Sequence, residues 1–341
     1  MHTLYRSLTS LRGLFAIAVV LCHRQVPTFD AWAHCAVVFF FMLSGFLLTL
    51  RHDFTVASGS SRWRFIQHRA RRVYPLHLIA WAVYVAIYLA FSVPIGWKPA
   101  LLNALLLQAW VPRHAYYLSV NGPVWFLSAL MFCYACFPLL RAVLHRVRLR
   151  WQVLGALVVA CVVCGVLPML PDHLLNYAYF CPLLRLLDFV FGMVLAGLLR
   201  ALPTDERVGT LQATVVEVCA VLIVFVTWGL AYFTGVLQPW DDVVVWWLPV
   251  AVLIMVCAAH HGHEGWVCRA LSWRPLVWLG EVSFEVYVLQ CIVPLFYSYC
   301  VAPVLFHYFG INIPGLSIVS HLILLMMLSF VVHKFAALRQ S

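Results

Sequence analysis

The stretch SLTSLRGLFAIAVVLCH, residues 7–23, is an apolar run of helical length that carries Arg12 near one end and His23 near the other. Arg12 within the run, and the lack of a small-residue cleavage site after it, predict a retained first span rather than a removable signal peptide. At about 100° per residue, the interval between Arg12 and His23 is three turns plus about 20°, so both side chains lie on one helix face, about 16 Å apart along the axis. Charges within a span cost a few kcal/mol and usually face a cavity or a partner. The pair can line one passage; alternatively, Arg12 reaches lipid phosphates and His23 lies at the far interface.

The composition places the chain among integral membrane proteins. Of its 341 residues, 65% are apolar and 10% are charged, with a mean hydropathy of +0.95, whereas about 25% of residues in soluble domains are charged. The apolar runs are long enough for membrane helices and do not alternate like barrel strands. The net charge of +10 fits the excess of Lys and Arg on the cytoplasmic face of membrane proteins, so it predicts no nucleic-acid partner.

Apolar runs of about 17–25 residues predict an all-α polytopic membrane helix bundle with about ten transmembrane helices, in a single domain over residues 1–341. A shorter run at 100–110 is expected to lie in the interface or to re-enter. An even number of spans places both termini on one side, and the positive-inside rule makes that side cytoplasmic, because most of the 22 Lys and Arg residues then fall in cytoplasmic segments. The spans are expected at 8–24, 33–50, 73–93, 123–140, 151–168, 178–200, 212–234, 243–259, 276–300 and 313–336.

Two further groups of polar residues are candidates for function. Arg185 and Asp188 lie at i and i+3 of the sixth expected span, so they can form an internal ion pair or orient a substrate or a histidine. The segment 62–77 is rich in arginine before the third span, with Pro75 expected in the first turn of that span. Its guanidinium groups can anchor the chain at lipid headgroups or clamp a phosphate, since guanidinium binds phosphate bidentately.

Cysteine and histidine patterns predict no metal site. The C-x-x-C pairs Cys133/Cys136 and Cys161/Cys164 each lie within one expected helix, without a second pair or a histidine at zinc-site spacing, so these thiols are interpreted as small apolar residues. The cluster HHGHEGW at 260–266 lies in an expected cytoplasmic loop, without a distant second group of ligands.

Several motifs occur together and in order between about residues 7 and 336. They are SLRGLFAIAVVLCH (10–23), FFFMLSGFLLT (39–49), FIQHRARRVYPLH (65–77), NGPVWFLSALMFCYACFPLL (121–140), RLLDFVFGMVLAG (185–197) and LGEVSFEVYVLQ (279–290). In this combination the sequence resembles the acyltransferase-3 family of integral membrane O-acyltransferases. Many members carry a Glu where this chain has Leu130 and a His where it has Gln290.

The resemblance implies a ten-helix bundle that takes an acyl group, commonly acetyl, from acyl-CoA in the cytoplasm. The acceptor it implies is a hydroxyl on a cell-envelope or secreted carbohydrate or glycolipid. It further implies the bacterial cytoplasmic (inner) membrane and contact with membrane lipid, and specifies no oligomeric state. The Arg and His of the family's first span match Arg12 and His23, and its arginines before the third span match Arg69 and Arg72.

These matches predict a role for each candidate residue. A histidine titrates near neutral pH, so His23 can act as the general base that deprotonates the acceptor hydroxyl, or as a transient acyl carrier. CoA phosphates need cationic partners, predicted to be Arg69 and Arg72 with Arg71, while Arg12 guides CoA or polarises the thioester. The residues predicted to orient the acceptor are Arg185, Asp188 and Trp125.

Two rival functions remain at this stage. A multi-span transporter or exporter also places ionisable residues within a bundle, although the sequence shows neither matching halves nor paired broken helices. A non-catalytic relative that binds lipid or glycan is the second rival, because the chain departs from the family pattern at Leu130 and Gln290.

Overall fold

The computed structural model describes residues 5–52, 59–202, 209–234, 244–259, 263–310, 313 and 315–338. Over these ranges the chain is built from helices and contains no strand, which confirms the predicted all-α class. The helices are α1 Arg6–His23, α2 Asp30–Arg51, α3 Gly59–Ala90, α4 Trp97–Ala104, α5 His114–Tyr117, α6 Trp125–Arg146, α7 Leu149–Val166, α8 Asp172–Ala178, α9 Pro182–Ala201, α10 Thr210–Thr234, α11 Trp247–Ala259, α12 Trp266–Leu271, α13 Arg274–Glu281, α14 Ser283–Leu289, α15 Ile292–Phe296, α16 Ala302–Phe309 and α17 Ile318–Leu338.

The described residues contain nine helical stretches long and apolar enough to cross a membrane, which confirms a polytopic bundle. These stretches are Arg6–His23, Pro27–Arg51, Ser61–Ala90, Gly122–Arg146, Leu149–Met169, Asp172–Ala201, Thr210–Leu230, Ser283–Phe309 and Ile318–Ala336. The expected eighth span, 243–259, begins outside the described residues and continues as the 13-residue helix α11. The run at 100–110 forms the end of α4 and a short 3₁₀ turn at 108–110, neither of which is long enough to cross a membrane.

The third span differs from its expected form. Helix α3 begins at Gly59, so the arginine-rich segment is helical and Pro75 lies inside the helix rather than in its first turn. A proline there removes one backbone hydrogen bond, a loss that membrane helices tolerate where neighbours compensate. The arginines are thus carried on a helix that continues into the membrane-spanning part, which fixes their side-chain directions relative to the bundle.

The ninth span, expected over 276–300, lies further along the chain at Ser283–Phe309 and is not one regular helix. The first residues of the expected range are divided between α13 and α14, with a break at Val282, and the chain turns again at Gln290 and Cys291 before α15. A five-residue π-helical turn, Tyr297–Val301, then leads into α16. The breaks release backbone carbonyls from helical pairing, so that side chains of other helices can donate to them.

The centre of the bundle is formed by α1, α2 and α9. In the α2 span 72% of the most apolar window is buried, against 6% in α7, so α7 lies at the periphery. Helices α2 and α9 approach so closely that a Cβ on Gly192 would overlap the Met42 carbonyl, and one on Gly45 would overlap the Phe189 carbonyl. Small residues at such crossings let membrane helices pack backbone to backbone.

Candidate active site

Four arginines from three helices face one cavity. Arg12 comes from α1, Arg51 from the end of α2, and Arg69 and Arg72 from α3. The cavity has a volume of about 170 Å³, and most of its remaining lining is apolar. The other lining residues are Phe40, Leu43, Ser44, Leu47, Leu48, Val73, Phe126, Leu127, Leu130, Tyr134, Ser283, Phe284 and Tyr287. A cationic rim over an apolar interior suits a ligand with a polyanionic head and an apolar tail.

Arg12 is held by a neutral partner. Its guanidinium donates to Ser283 Oγ over 3.1 Å, and Ser283 in turn donates to the Gly280 carbonyl over 2.7 Å. The hydroxyl proton of Ser283 is therefore used in the bond to Gly280, and a lone pair of Ser283 Oγ accepts from Arg12. The carboxylate of Glu285, which is hydrogen-bonded to His333 Nδ1 at 2.9 Å, also acts on Arg12 electrostatically. Arg12 keeps donors available for a ligand in the cavity because a guanidinium has five N–H groups.

Arg69 is positioned by aromatic rings and one imidazole. Its guanidinium lies 5.2 Å from the centre of the Phe65 ring and 5.7 Å from that of Tyr134, and it donates to His52 Nε2 over 3.4 Å. Partial burial and the neighbouring cations, Arg69 and Arg51, lower the pKa of His52. The imidazole is thus kept neutral and able to accept from Arg69 near neutral pH.

His23 lies at the opposite end of α1 and does not line the cavity. Its Nδ1 is 3.0 Å from Gln290 Oε1, and Gln290 Nε2 donates to the Tyr287 carbonyl over 3.0 Å. Tyr287 lines the cavity, so Gln290 lies about one helical turn, roughly 5 Å along the helix axis, from a residue of the cavity wall. The departure from the family pattern at Gln290 therefore touches the predicted base directly.

Arg185 and Asp188 form an ion pair inside the bundle. Arg185 NH1 lies 3.0 Å from Asp188 Oδ2, and both side chains are fully buried. Trp247 Nε1 donates to Asp188 Oδ1 over 2.6 Å, which ties α9 to α11. Neither charged residue lines the cavity. This geometry matches the internal ion pair that the sequence left open as an alternative.

Trp125, the third residue predicted to orient the acceptor, is connected to this pair through Tyr179. The Trp125 and Tyr179 rings lie 5.1 Å apart, and the Arg185 guanidinium is 5.5 Å from the Tyr179 ring centre. Trp125 is buried and also contacts Phe180, with ring centres 4.9 Å apart. The three residues thus belong to one buried aromatic and ionic cluster.

The structure therefore places the predicted residues in three groups. Arg12, Arg69 and Arg72 share the cavity, His23 lies outside it in contact with Gln290, and the Arg185 cluster is separate. Arg71 lies on α3 with Arg69 and Arg72, but it is exposed and does not line the cavity.

The sequence did not single out Arg51, Ser283 or the contact of Gln290, although Ser283 and Gln290 both lie in the quoted motif at 279–290. Leu130 lines the cavity, so the departure from the family's Glu makes this wall apolar.

Within the described ranges, no three His, Cys, Asp or Glu side chains are arranged to hold a metal ion. Residues 260–262 of the histidine-rich cluster lie outside those ranges. The four cysteines of the C-x-x-C pairs, all within the described ranges, form no disulfide bond.

A membrane-spanning helical bundle with an arginine-lined cavity and a nearby histidine is the arrangement expected of a membrane enzyme that acts on an anionic, partly apolar donor. The chain belongs to the acyltransferase-3 family: the family model, described as an acyltransferase domain, matches residues 5–334. Among curated proteins, it is similar to the acyltransferase MdmB of Streptomyces mycarofaciens, with 28% identity over 320 residues, covering 84% of this chain and 78% of that protein. No solved structure matches the chain at a significant level. The protein is thus an integral membrane member of an acyltransferase family.

Proposed function

We propose that this protein is an O-acyltransferase of the bacterial cytoplasmic membrane. It transfers an acyl group, with acetyl as the first case to test, from cytoplasmic acyl-CoA to a hydroxyl of a cell-envelope or secreted carbohydrate. The acyltransferase family membership supports the reaction class. The carbohydrate acceptor and the acetyl group are proposed from the resemblance of the motifs. The acyl-CoA donor is proposed from that resemblance and from the chemistry of the cavity.

The observation that carries the proposal is the convergence of Arg12, Arg51, Arg69 and Arg72 on one cavity. In the described part of the chain, none of the four forms an ion pair with a carboxylate. Four cations in one place, none of them ion-paired with a carboxylate of the described ranges, call for an anionic ligand, and the phosphates of CoA are such a ligand.

The proposed step is a direct transfer. His23 Nε2 takes the proton of the acceptor hydroxyl as its oxygen attacks the thioester carbonyl. The new C–O bond forms and the C–S bond breaks, and CoA leaves as a thiolate that recovers the proton from the imidazolium as a thiol. Arg12, which lines the cavity beside Ser283 and lies about three turns from His23 on α1, guides the anionic donor into the bundle.

The proposal is tested by incubating the purified protein with radiolabelled acetyl-CoA and envelope glycan. We expect labelled glycan from the wild type and a fall of about 10²–10⁴-fold in kcat for His23→Ala, because a positioned general base contributes that much. His307→Ala, which removes an exposed histidine outside both sites, is the control and should keep the wild-type rate. Equal labelling by wild type and His23→Ala would remove His23 from the mechanism, and glycan movement without labelling would favour an exporter.

The donor site is tested in the same assay with arginine variants. Arg72→Ala removes a cation from the cavity and should raise KM for acetyl-CoA by about 10- to 100-fold, as expected for a lost charge-assisted hydrogen bond worth about 1.5–3 kcal/mol. Arg64→Ala, which removes an exposed arginine two turns earlier on α3, should leave KM within about twofold. Equal effects of the two substitutions would show that general surface charge, not the cavity, binds the donor.

A further inference from the structure

Gln290 lies between three parts of the bundle, in the turn that follows α14. Its side chain is almost completely buried, with 1% exposure. Its backbone carbonyl accepts from His321 Nε2 of α17 over 2.8 Å, and the carbonyl of Val288 accepts from Asn121 Nδ2 over 3.0 Å. Tyr287 donates its hydroxyl to the Pro123 carbonyl. The first two bonds use carbonyls next to the break after α14, and all three fix the turn that presents Gln290 to His23.

The orientation of the Gln290 amide follows from its two contacts. Nε2 donates to the Tyr287 carbonyl, so Oε1 is the atom that faces His23 Nδ1 at 3.0 Å. A carboxamide oxygen is only an acceptor, so the ring must carry its proton on Nδ1 to form this bond. In a neutral imidazole the lone pair then lies on Nε2. The Val19 carbonyl, one turn earlier, also interacts with the ring.

We infer that Gln290 is a positioning residue that holds His23 as the Nδ1–H tautomer, so that Nε2 is the atom that accepts the proton of the acceptor hydroxyl. This inference rests on the proposed function. The bond persists when the ring becomes imidazolium, since Nδ1–H remains a donor in both states. An amide provides the orientation without a negative charge, so it favours the protonated ring less than a carboxylate would.

The other charged and titratable groups around His23 form hydrogen bonds with groups other than the His23 ring. Cys22 donates to Asp30 Oδ1 over 3.2 Å, and Asp30 acts on His23 only through space. Arg24 donates to the Leu316 carbonyl over 2.6 Å. His321 is bonded to the Gln290 backbone rather than to the His23 ring. Gln290 is thus the side chain that hydrogen-bonds to the imidazole in the described part of the chain.

The direct test is nuclear magnetic resonance of the full-length protein in detergent, with ¹⁵N-labelled histidine and the His23 signals assigned by difference from His23→Ala. We expect the Nδ1–H tautomer in the wild type and a shift towards the Nε2–H form, which the side chain of free histidine prefers, in Gln290→Leu. Leu289→Met, a buried volume-conserving change in the preceding residue, should leave the tautomer unchanged. An Nε2–H ring in the wild type, or an unchanged ring in Gln290→Leu, would overturn the inference whether or not the protein transfers acetyl groups.

Kinetics provide a second readout that a merely structural role would not move. Gln290→Leu should lower kcat at least about 10-fold, within the contribution of a general base, with KM for acetyl-CoA unchanged. Gln290→Glu restores the acceptor and adds a negative charge that favours imidazolium, so activity should return with the acidic limb of the pH–rate profile about one unit higher. Absence of transfer by the wild type would count against the proposed function alone, whereas wild-type transfer with an unshifted Gln290→Glu profile would contradict the role of Gln290.

Discussion

Arg12 and Arg185 are both guanidinium groups inside membrane-spanning helices, but their partners differ. Arg185 is fully buried against the Asp188 carboxylate, so its charge is neutralised within the protein. Arg12 is bonded to the neutral Ser283 and faces a cavity. A charge within the bundle that has no carboxylate at hydrogen-bonding distance is costly unless a ligand or water forms hydrogen bonds with it. The side chain that faces the cavity is therefore the candidate for binding, and the paired one is the candidate for stability.

The ion pair of Arg185 and Asp188 gives a prediction at the scale of single residues. Asp188→Leu leaves the Arg185 charge buried without its partner and should destabilise the protein by about 3–5 kcal/mol. The double variant Arg185→Met/Asp188→Leu removes both charges, so it should recover most of that loss. Thermal unfolding in detergent measures both effects, and KM for the acceptor measured on folded protein is the companion readout. A stable Asp188→Leu variant with a raised KM for the acceptor would instead support the substrate-orienting role.

The helices themselves were largely predictable from the sequence, because a span requires a long apolar run and this chain has few charges to interrupt one. The breaks within the ninth span were not predictable from the sequence. The residues around Gln290 and Cys291 are as apolar as a continuous span, so composition does not mark a turn whose carbonyls are bound by Asn121 and His321. Helix α3 likewise extends to Gly59 through a charged segment, since Phe65 and Val73 are buried against the bundle.

The candidate site also contains residues that the sequence predicts and residues that only the structure identifies. Arg12 could be selected from the sequence because a charge within a span is rare, and Arg69 and Arg72 because they match the family's arginines before the third span. The contact between His23 and Gln290 joins positions that are 267 residues apart, so no local pattern contains it. Ser283 was hidden for the same reason: a serine within a span is ordinary until the structure places it 3.1 Å from a guanidinium.

The crossing of α2 and α9 leads to a prediction at the scale of the element. A methyl group at Gly192 would overlap the Met42 carbonyl, so Gly192→Ala must force two central helices apart. We expect a loss of about 1–3 kcal/mol, the usual range for overpacking, observed as a lower Tm in detergent. Gly155→Ala on α7 is the matched control, because no atom lies within 4 Å of its Cβ. That control should be neutral or stabilising by up to about 1 kcal/mol, since alanine favours helix. An equal fall in Tm for both variants would mean that the crossing is not closely packed.

At the scale of the whole molecule, the two ends of α1 present different chemistry. Arg12 opens towards a cationic cavity with Arg51, Arg69 and Arg72, whereas His23 lies at the other end beside Gln290. The positive-inside rule predicts that the arginine-rich end faces the cytoplasm. The donor and the acceptor would then reach the reaction from opposite sides, with Tyr287 and the turn after α14 between them.

This orientation predicts that acetyl-CoA is used from one side of the membrane only. In sealed inverted vesicles, the cytoplasmic face is outside, so added radiolabelled acetyl-CoA should reach the arginine cavity and label the glycan. In sealed right-side-out vesicles with the same amount of protein, CoA cannot cross the bilayer because of its charged phosphates, and labelling should fall to background. Permeabilising both preparations with detergent should bring them to the same rate, which controls for inactive protein. Labelling by the sealed right-side-out vesicles alone would place the cavity on the outer face, and equal labelling by the two sealed preparations would contradict use of acetyl-CoA from one side only.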